Sequence, residues 1–181
     1  MASSRARAAT GPKDSVRART SPASETFQIA NYPFYRLSRV VALYAECLDR
    51  ELKPRGMDQP RWRVLMILHE HNPAAMGLIA ELAVMKLPTL LKVVRRMEAE
   101  GLVRTGARLS DQRVTEVSIT ARGRKSLSLV RKVAAQVYEE VTAGLSSEDI
   151  ETLNALLHNL EGSLLARRSA RRREPPPVNG S

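Results

Sequence analysis

Met97-Glu98-Ala99-Glu100-Gly101-Leu102-Val103-Arg104, running on through a turn-rich segment to Val114-Thr115-Glu116-Val117-Ser118-Ile119-Thr120 and Gly123, is the stretch that decides the reading of this chain. It joins the end of one helix to a hairpin. The helix is expected over residues 88–100, because Leu90, Val93, Val94 and Met97 fall at the three-and-four spacing of a buried stripe. That spacing leaves Thr89, Leu91, Lys92, Arg95 and Arg96 on the outward faces. Pro88 suits a first helical turn and Gly101 a C-terminal stop. A strand starts at Leu102-Val103-Arg104, and the alternation from Val114 to Ile119 sets Val117 and Ile119 on one face. Between the strands, residues 105–113 hold Gly106, Ser110 and Asp111 as turn formers and Arg108 and Arg113 as cations. A basic helix followed by a hairpin with arginines at its tip is the pattern of a nucleic-acid reader.

The distribution of charge supports that reading more than its total does. The 181 residues carry a formal net charge of +10. Residues 1–24 hold five Lys/Arg against one acid, and residues 167–181 again five against one. Only +2 is left for the body, in which residues 86–125 hold ten cations against four acids. The rest of the body is therefore acidic, and the basic charge gathers on the candidate reading head. Hydrophobic residues make up 43% of the chain and aromatics only 4%, which with little sustained alternation points to a mainly helical fold with one small hairpin.

Several function classes are excluded or disfavoured. The single Cys47 excludes an internal disulfide and fits a reducing compartment. Its place between Glu46 and Leu48 suits core or interface packing more than an oxidation sensor. No apolar run is long enough to span a membrane. His69 and His71 stand two apart on a helix, unlike a metal pair four apart, so neither a metal nor a cofactor is expected. No phosphate loop, nucleophile elbow or paired-carboxylate motif appears, so the chain is not expected to be an enzyme.

Along the chain, residues 1–27 are expected to form a disordered basic arm. A first long helix should begin near Pro33, with Phe34, Leu37, Val41, Tyr44 and Leu48 forming a seam for another helix, until Lys53-Pro54-Arg55-Gly56 breaks it. Asp58 is the expected N-cap of a helix over residues 59–71 that buries Trp62, Leu65 and Leu68. A short helix over residues 77–84 leads to the basic helix. After the hairpin, Thr120 caps a helix to about Thr142 with Leu127, Val130, Ala134, Val137 and Val141 on heptad spacing. Ser146 and Asp149 form a capping box for a last helix with Leu153, Leu157, Leu160 and Leu164 in register. These seams exceed what so small a head can cover, which calls for a second copy of the chain. The resulting division is an arm over 1–27, a domain over 28–166 and a disordered Arg/Pro-rich tail over 167–181. Within the domain, residues 28–55 and 124–166 dimerise and 56–123 form the head.

Over roughly residues 30–165 the chain resembles the multiple-antibiotic-resistance regulator (MarR) family of bacterial winged helix-turn-helix repressors. The likeness rests on Asp111-Gln112-Arg113, Val117-Ser118-Ile119-Thr120 with Gly123, the helix exit Met97 to Val103, and Gln59-x-x-Trp62-Arg63-Val64-Leu65, where Pro60 and Arg61 are inserted. The resemblance implies a homodimer with interlocked terminal helices. It also implies a cytoplasmic repressor, nucleoid-associated when bound, that holds a palindromic operator in double-stranded DNA. Base readers would be Thr89, Leu91 and Lys92, supported by Arg95, Arg96, Arg104 and Arg108, with Arg113 near the minor groove. Leu87 and Leu91 depart from the family's usual polar pattern. An exposed leucine there either meets a thymine methyl or packs on its neighbours. Arg95 and Arg96 have the alternative of a solvated face, and Arg113 that of an ion pair with Asp111. The resemblance further implies release by a small ligand such as an aromatic acid or its thioester, with Tyr35, Arg36, Arg39, Trp62 and His69 as candidate contacts. Trp62 is open to a core role instead. The alternative function is a protein that coats nucleic acid without sequence preference through its basic tails.

Overall fold

The computed structural model describes residues 12–173, with side chains placed over 16–170. It divides into two units at Val137 and Tyr138. The first unit opens with α1 (Pro12–Thr20) and a 3-10 turn at Ile29–Asn31. The long α2 (Pro33–Leu52) follows, started by its proline and ended where Lys53-Pro54-Arg55 tightens into a 3-10 turn and Gly56 takes φ +68. Asp58 caps α3 (Gln59–Glu70) by accepting the Arg61 amide at 3.0 Å. Then come a two-residue strand β1 (Ala74–Ala75), α4 (Met76–Leu82) and α5 (Leu87–Ala99). The hairpin is β2 (Val103–Arg108) with β3 (Asp111–Ile119), and α6 (Ala121–Thr142) leaves from its base.

The sheet order is β1-β3-β2, antiparallel throughout, with Val103 opposite Ile119, Thr105 opposite Val117 and Ala74 opposite Val117 on the other side. Val117 and Ile119 are buried, as the alternation requires, and meet a core of Leu48 and Leu52 from α2, Val64, Leu65 and Leu68 from α3, Ile79 from α4, Leu90, Val94 and Met97 from α5, and Leu127 and Val130 from α6. Burial on five helices and one sheet face gives the head a single packed centre, from which α5 and the hairpin project. In the second unit, Ser146 and Asp149 cap α7 (Ser147–Arg173) reciprocally, each accepting the other's amide at 3.1 and 2.9 Å.

Four expectations are corrected. Residues 12–20, placed in the N-terminal arm, form α1. Residues 167–173, placed in the C-terminal tail, continue α7. Residues 21–27 of the arm are described and carry backbone bonds such as that from the Ser24 amide to the Ser21 carbonyl, whereas 1–11 and 174–181 lie outside the described residues. The turn expected over 105–113 is much shorter, since β2 reaches Arg108 and β3 starts at Asp111, leaving Leu109-Ser110 at the tip. A shift of register at Ala107/Arg108 absorbs the tight turn. Trp62 is only half-buried, packed against the core rather than within it.

Candidate nucleic-acid interface

Helix α5 is seated from below by its apolar stripe and fixed at its end by glycine. Gly101 takes φ +71, its amide reaches the Glu98 carbonyl at 2.9 Å, and the Leu102 amide reaches the Met97 carbonyl at 2.8 Å. This pair of backward bonds ends the helix and turns the chain into β2. Glu98 then ties the two elements, accepting both the Thr105 hydroxyl and amide at 2.7 Å. The Thr105 hydroxyl, and then its amide, hold the Glu98 carboxyl below its usual value of 4.5. The turn preceding α5 is strained: Val84, a β-branched residue, sits at φ +52.

A buried cation locks the far end of α5. The Arg61 side chain bonds the Glu100 carboxylate and donates to the Gly56 carbonyl at 2.7 Å. Its Nε lies 3.2 Å from Asp58 Oδ2, in charge contact but out of line for a hydrogen bond. Arg96 closes the cluster from outside, 3.0 Å from Glu100 and 3.6 Å from Asp58. Two arginines therefore share two carboxylates, and α3 is clamped to α5. Arg63 adds a bond of 2.9 Å to the Ala83 carbonyl at the end of α4. This cluster was not legible in the sequence beyond the N-cap role of Asp58.

The eight candidate DNA-contact residues fall into two groups. Thr89, Leu91, Lys92, Arg95 and Arg104 are exposed, and among the described residues the three cations of this set have no ion-pair partner. Arg113 joins them near the tip of the hairpin, with its side chain 93% exposed and only a contact of 3.3 Å to Asp111. The Asp111 carboxylate also accepts the Arg113 amide at 3.1 Å, so the pair stiffens the tip without hiding the charge. Arg96 and Arg108 differ, because each already holds a carboxylate: Arg108 lies 2.7 Å from Glu116. Lys86, exposed at the N-cap position of α5, belongs on the same surface and was not singled out from the sequence.

The five candidate ligand residues are not brought together within one chain. Tyr35, Arg36 and Arg39 line a groove of about 390 Å³ with Val40 and Leu43, and the Arg39 guanidinium lies 5.8 Å from the Tyr35 ring centre. Trp62 lines a second hollow of about 250 Å³ with Tyr44, Leu48 and Met66. His69 lies in a third, beside Arg124, Ser128, Arg131 and Lys132, with its Nε2 3.1 Å from Arg131.

Comparison with known proteins agrees with this geometry. The model of the MarR family matches residues 57–115, the span from α3 to the middle of β3. The chain is 35% identical over 165 residues to the HTH-type transcriptional repressor IacR of Pseudomonas putida, covering 89% of this chain and 99% of that one. Among solved structures, a cysteine-to-serine mutant of E. coli MarR complexed with operator DNA superposes with a TM-score of 0.64 at 21% identity, over 71% of this chain and 94% of that chain. CouR from Rhodococcus jostii RHA1, bound to p-coumaroyl-CoA, gives 0.68 at 18% identity over 74% and 94%. These two likenesses show the fold, and the more similar IacR shows the family. The chain belongs to the MarR family of DNA-binding transcription regulators.

Proposed function

We propose that this chain is a homodimeric repressor that reads a palindromic operator with two copies of the α5 and hairpin surface and is released by a small anionic ligand. The observation that carries the operator reading is the set of exposed cations, Lys92 and Arg95 on α5 and Arg104 and Arg113 on the hairpin, on elements tied together by Glu98 and Arg61. Phosphate contacts from such a set supply affinity, and Thr89, Leu91 and Lys92 supply choice of sequence. Arg96 and Arg108 contribute by exchanging a carboxylate for a phosphate.

Dimerisation accounts for apolar surface that one chain leaves bare. Phe34, Val40, Val41 and Leu43 of α2 are exposed, and so are Leu153, Leu156, Leu157, Leu160, Leu164 and Leu165 of α7. Each leucine buried is worth about 2 kcal/mol, so six on one helix are a strong drive to associate. Two reading heads on one axis fit half-sites about 10 bp apart. Light scattering of the protein on a duplex carrying its selected site should give two chains per duplex. One chain per duplex would sink the dimer.

For the effector, the groove of Tyr35, Arg36 and Arg39 offers cations beside apolar walls, the combination an aromatic acid or its thioester needs. Trp62 and His69 would complete the ligand set only if the partner copy brings them near. CouR, a distant fold relative, is bound to a thioester, p-coumaroyl-CoA, in its solved structure. Titrating phenolic acids and their thioesters against Trp62 fluorescence should give a saturable change, and silence across the series would remove the ligand assignment. The site of action is the bacterial cytoplasm, on the nucleoid.

A further inference from the structure

The outer surface of α5 carries two rows of side chains one helical turn apart along each row. Thr89, Lys92 and Arg96 form the polar row expected of a DNA reader. Leu87, Leu91 and Arg95 form the other, and its first two members are leucines exposed to 47% and 37%. They do not pack away into the core. Instead they line a concavity of about 280 Å³ together with Met76 and Gly77 of α4 and Arg113, Val114 and Thr115 of the hairpin. Exposed cations adjoin this apolar strip, with Arg95 continuing its row, Lys92 next to it on the helix and Arg113 on the hairpin. That charge selects a polyanion rather than an apolar peptide as the occupant.

We propose that Leu87 and Leu91 read thymine methyl groups in the major groove, so that each operator half-site is specified in part by shape-matched apolar contact. This rests on the operator-reading function proposed above. In B-DNA the C5-methyl of thymine is the apolar group that base edges present in the major groove, whereas guanine, adenine and cytosine present hydrogen-bonding atoms. A leucine pressed against those atoms would dehydrate them and return no bond. Against a methyl it loses nothing. The N-terminal half of the recognition helix, where both leucines lie, is the part that meets base edges in helix-turn-helix proteins.

The test uses the full-length protein and the sites it enriches from a random DNA pool. Each thymine of the half-site is replaced singly by uracil, which removes the methyl and keeps the base pair. Binding is measured for the wild type and for Leu87→Ala and Leu91→Ala, whose melting temperatures confirm that they remain folded. The wild type should lose about fourfold per half-site at one or two thymines, the value of one buried carbon. One of the two variants should then bind thymine and uracil equally at that position. An enriched palindrome without fixed thymines, uracil replacement without effect, or an unchanged thymine preference in both variants would overturn the leucine reading while leaving operator reading intact. Absence of any enriched sequence would overturn the operator-reading function itself.

Discussion

Arg61 is 4% exposed, yet it holds a charge that three groups share: Asp58, Glu100 and the Gly56 carbonyl. Removing a buried charge partner typically costs about 3–5 kcal/mol. Asp58 and Glu100 each keep about a third of their side-chain surface in water, so they can rehydrate and the loss should lie at the lower end. Arg61→Met is therefore expected to destabilise the protein by about 3 kcal/mol, read from urea unfolding, with DNA affinity falling because the end of α5 is released. A variant as stable as the wild type would mean that the cluster does not hold the helix. The role of Asp58 was legible, because an N-cap is a local signal. The destination of Arg61 was not, because Glu100 lies 39 residues away and no spacing rule connects them.

Glu98 makes a second prediction at this scale. Its folded-state pKa lies below the usual 4.5 because Thr105 donates two bonds to the carboxylate. The stabilisation is thus fully present above about pH 4.5 and is lost as pH falls through the depressed folded value. Glu98→Gln should be less stable than the wild type near neutrality, and the gap between their melting temperatures should close toward about pH 3. A gap that stays constant with pH would show that the charge on Glu98 contributes nothing.

Among the elements, the junction of hairpin and α6 depends on one glycine. Thr120 donates to the Gly101 carbonyl at 2.7 Å and accepts the Gly123 amide at 3.0 Å, which brings the start of α6 onto the base of the hairpin. A Cβ on Gly123 would overlap the Leu102 carbonyl oxygen and press on Ile119. The obstacle is backbone and buried side chain, neither able to swing away. Gly123→Ala is expected to cost about 3 kcal/mol or more, within the range for overpacking a tight site, although alanine favours a helix. A neutral or stabilising result in thermal unfolding would contradict the close approach. The hairpin and its two capped neighbours were legible from alternation, Gly101 and Thr120. Strand β1 was not, since two alanines carry no period, and the length of the hairpin was underestimated because Gly106 and Asp111 read as turn formers although they lie in strands.

For the whole molecule, the segregation of charge read from the sequence survives in three dimensions, but its parts differ in availability. Lys92, Arg95 and Arg104 stand free among the described residues, Arg113 nearly so, and Arg96 and Arg108 are spoken for. The candidate ligand residues were less legible: three of the five share a groove and two lie elsewhere, because helix periodicity orders residues along a helix and says little about which grooves a fold will form. If two copies neutralise roughly ten phosphates, log K should fall with log salt at a slope near −9, and Arg113→Ala should make that slope shallower by about 2 for a dimer. Apolar residues of α2 and α7 are left bare in the single chain, and the proposed second copy would cover them.

The most direct test of operator reading is enrichment of bound DNA from a random pool at about 150 mM salt, where non-specific attraction is already weakened, with the wild type and with Arg113→Ala in parallel. The account predicts a palindrome with half-site centres about one DNA turn apart, bound at least about 30-fold more weakly by the variant, because a dimer loses one groove contact of about 1–3 kcal/mol in each half-site. Tight, salt-sensitive binding with no enriched sequence, equal in both proteins, would contradict it.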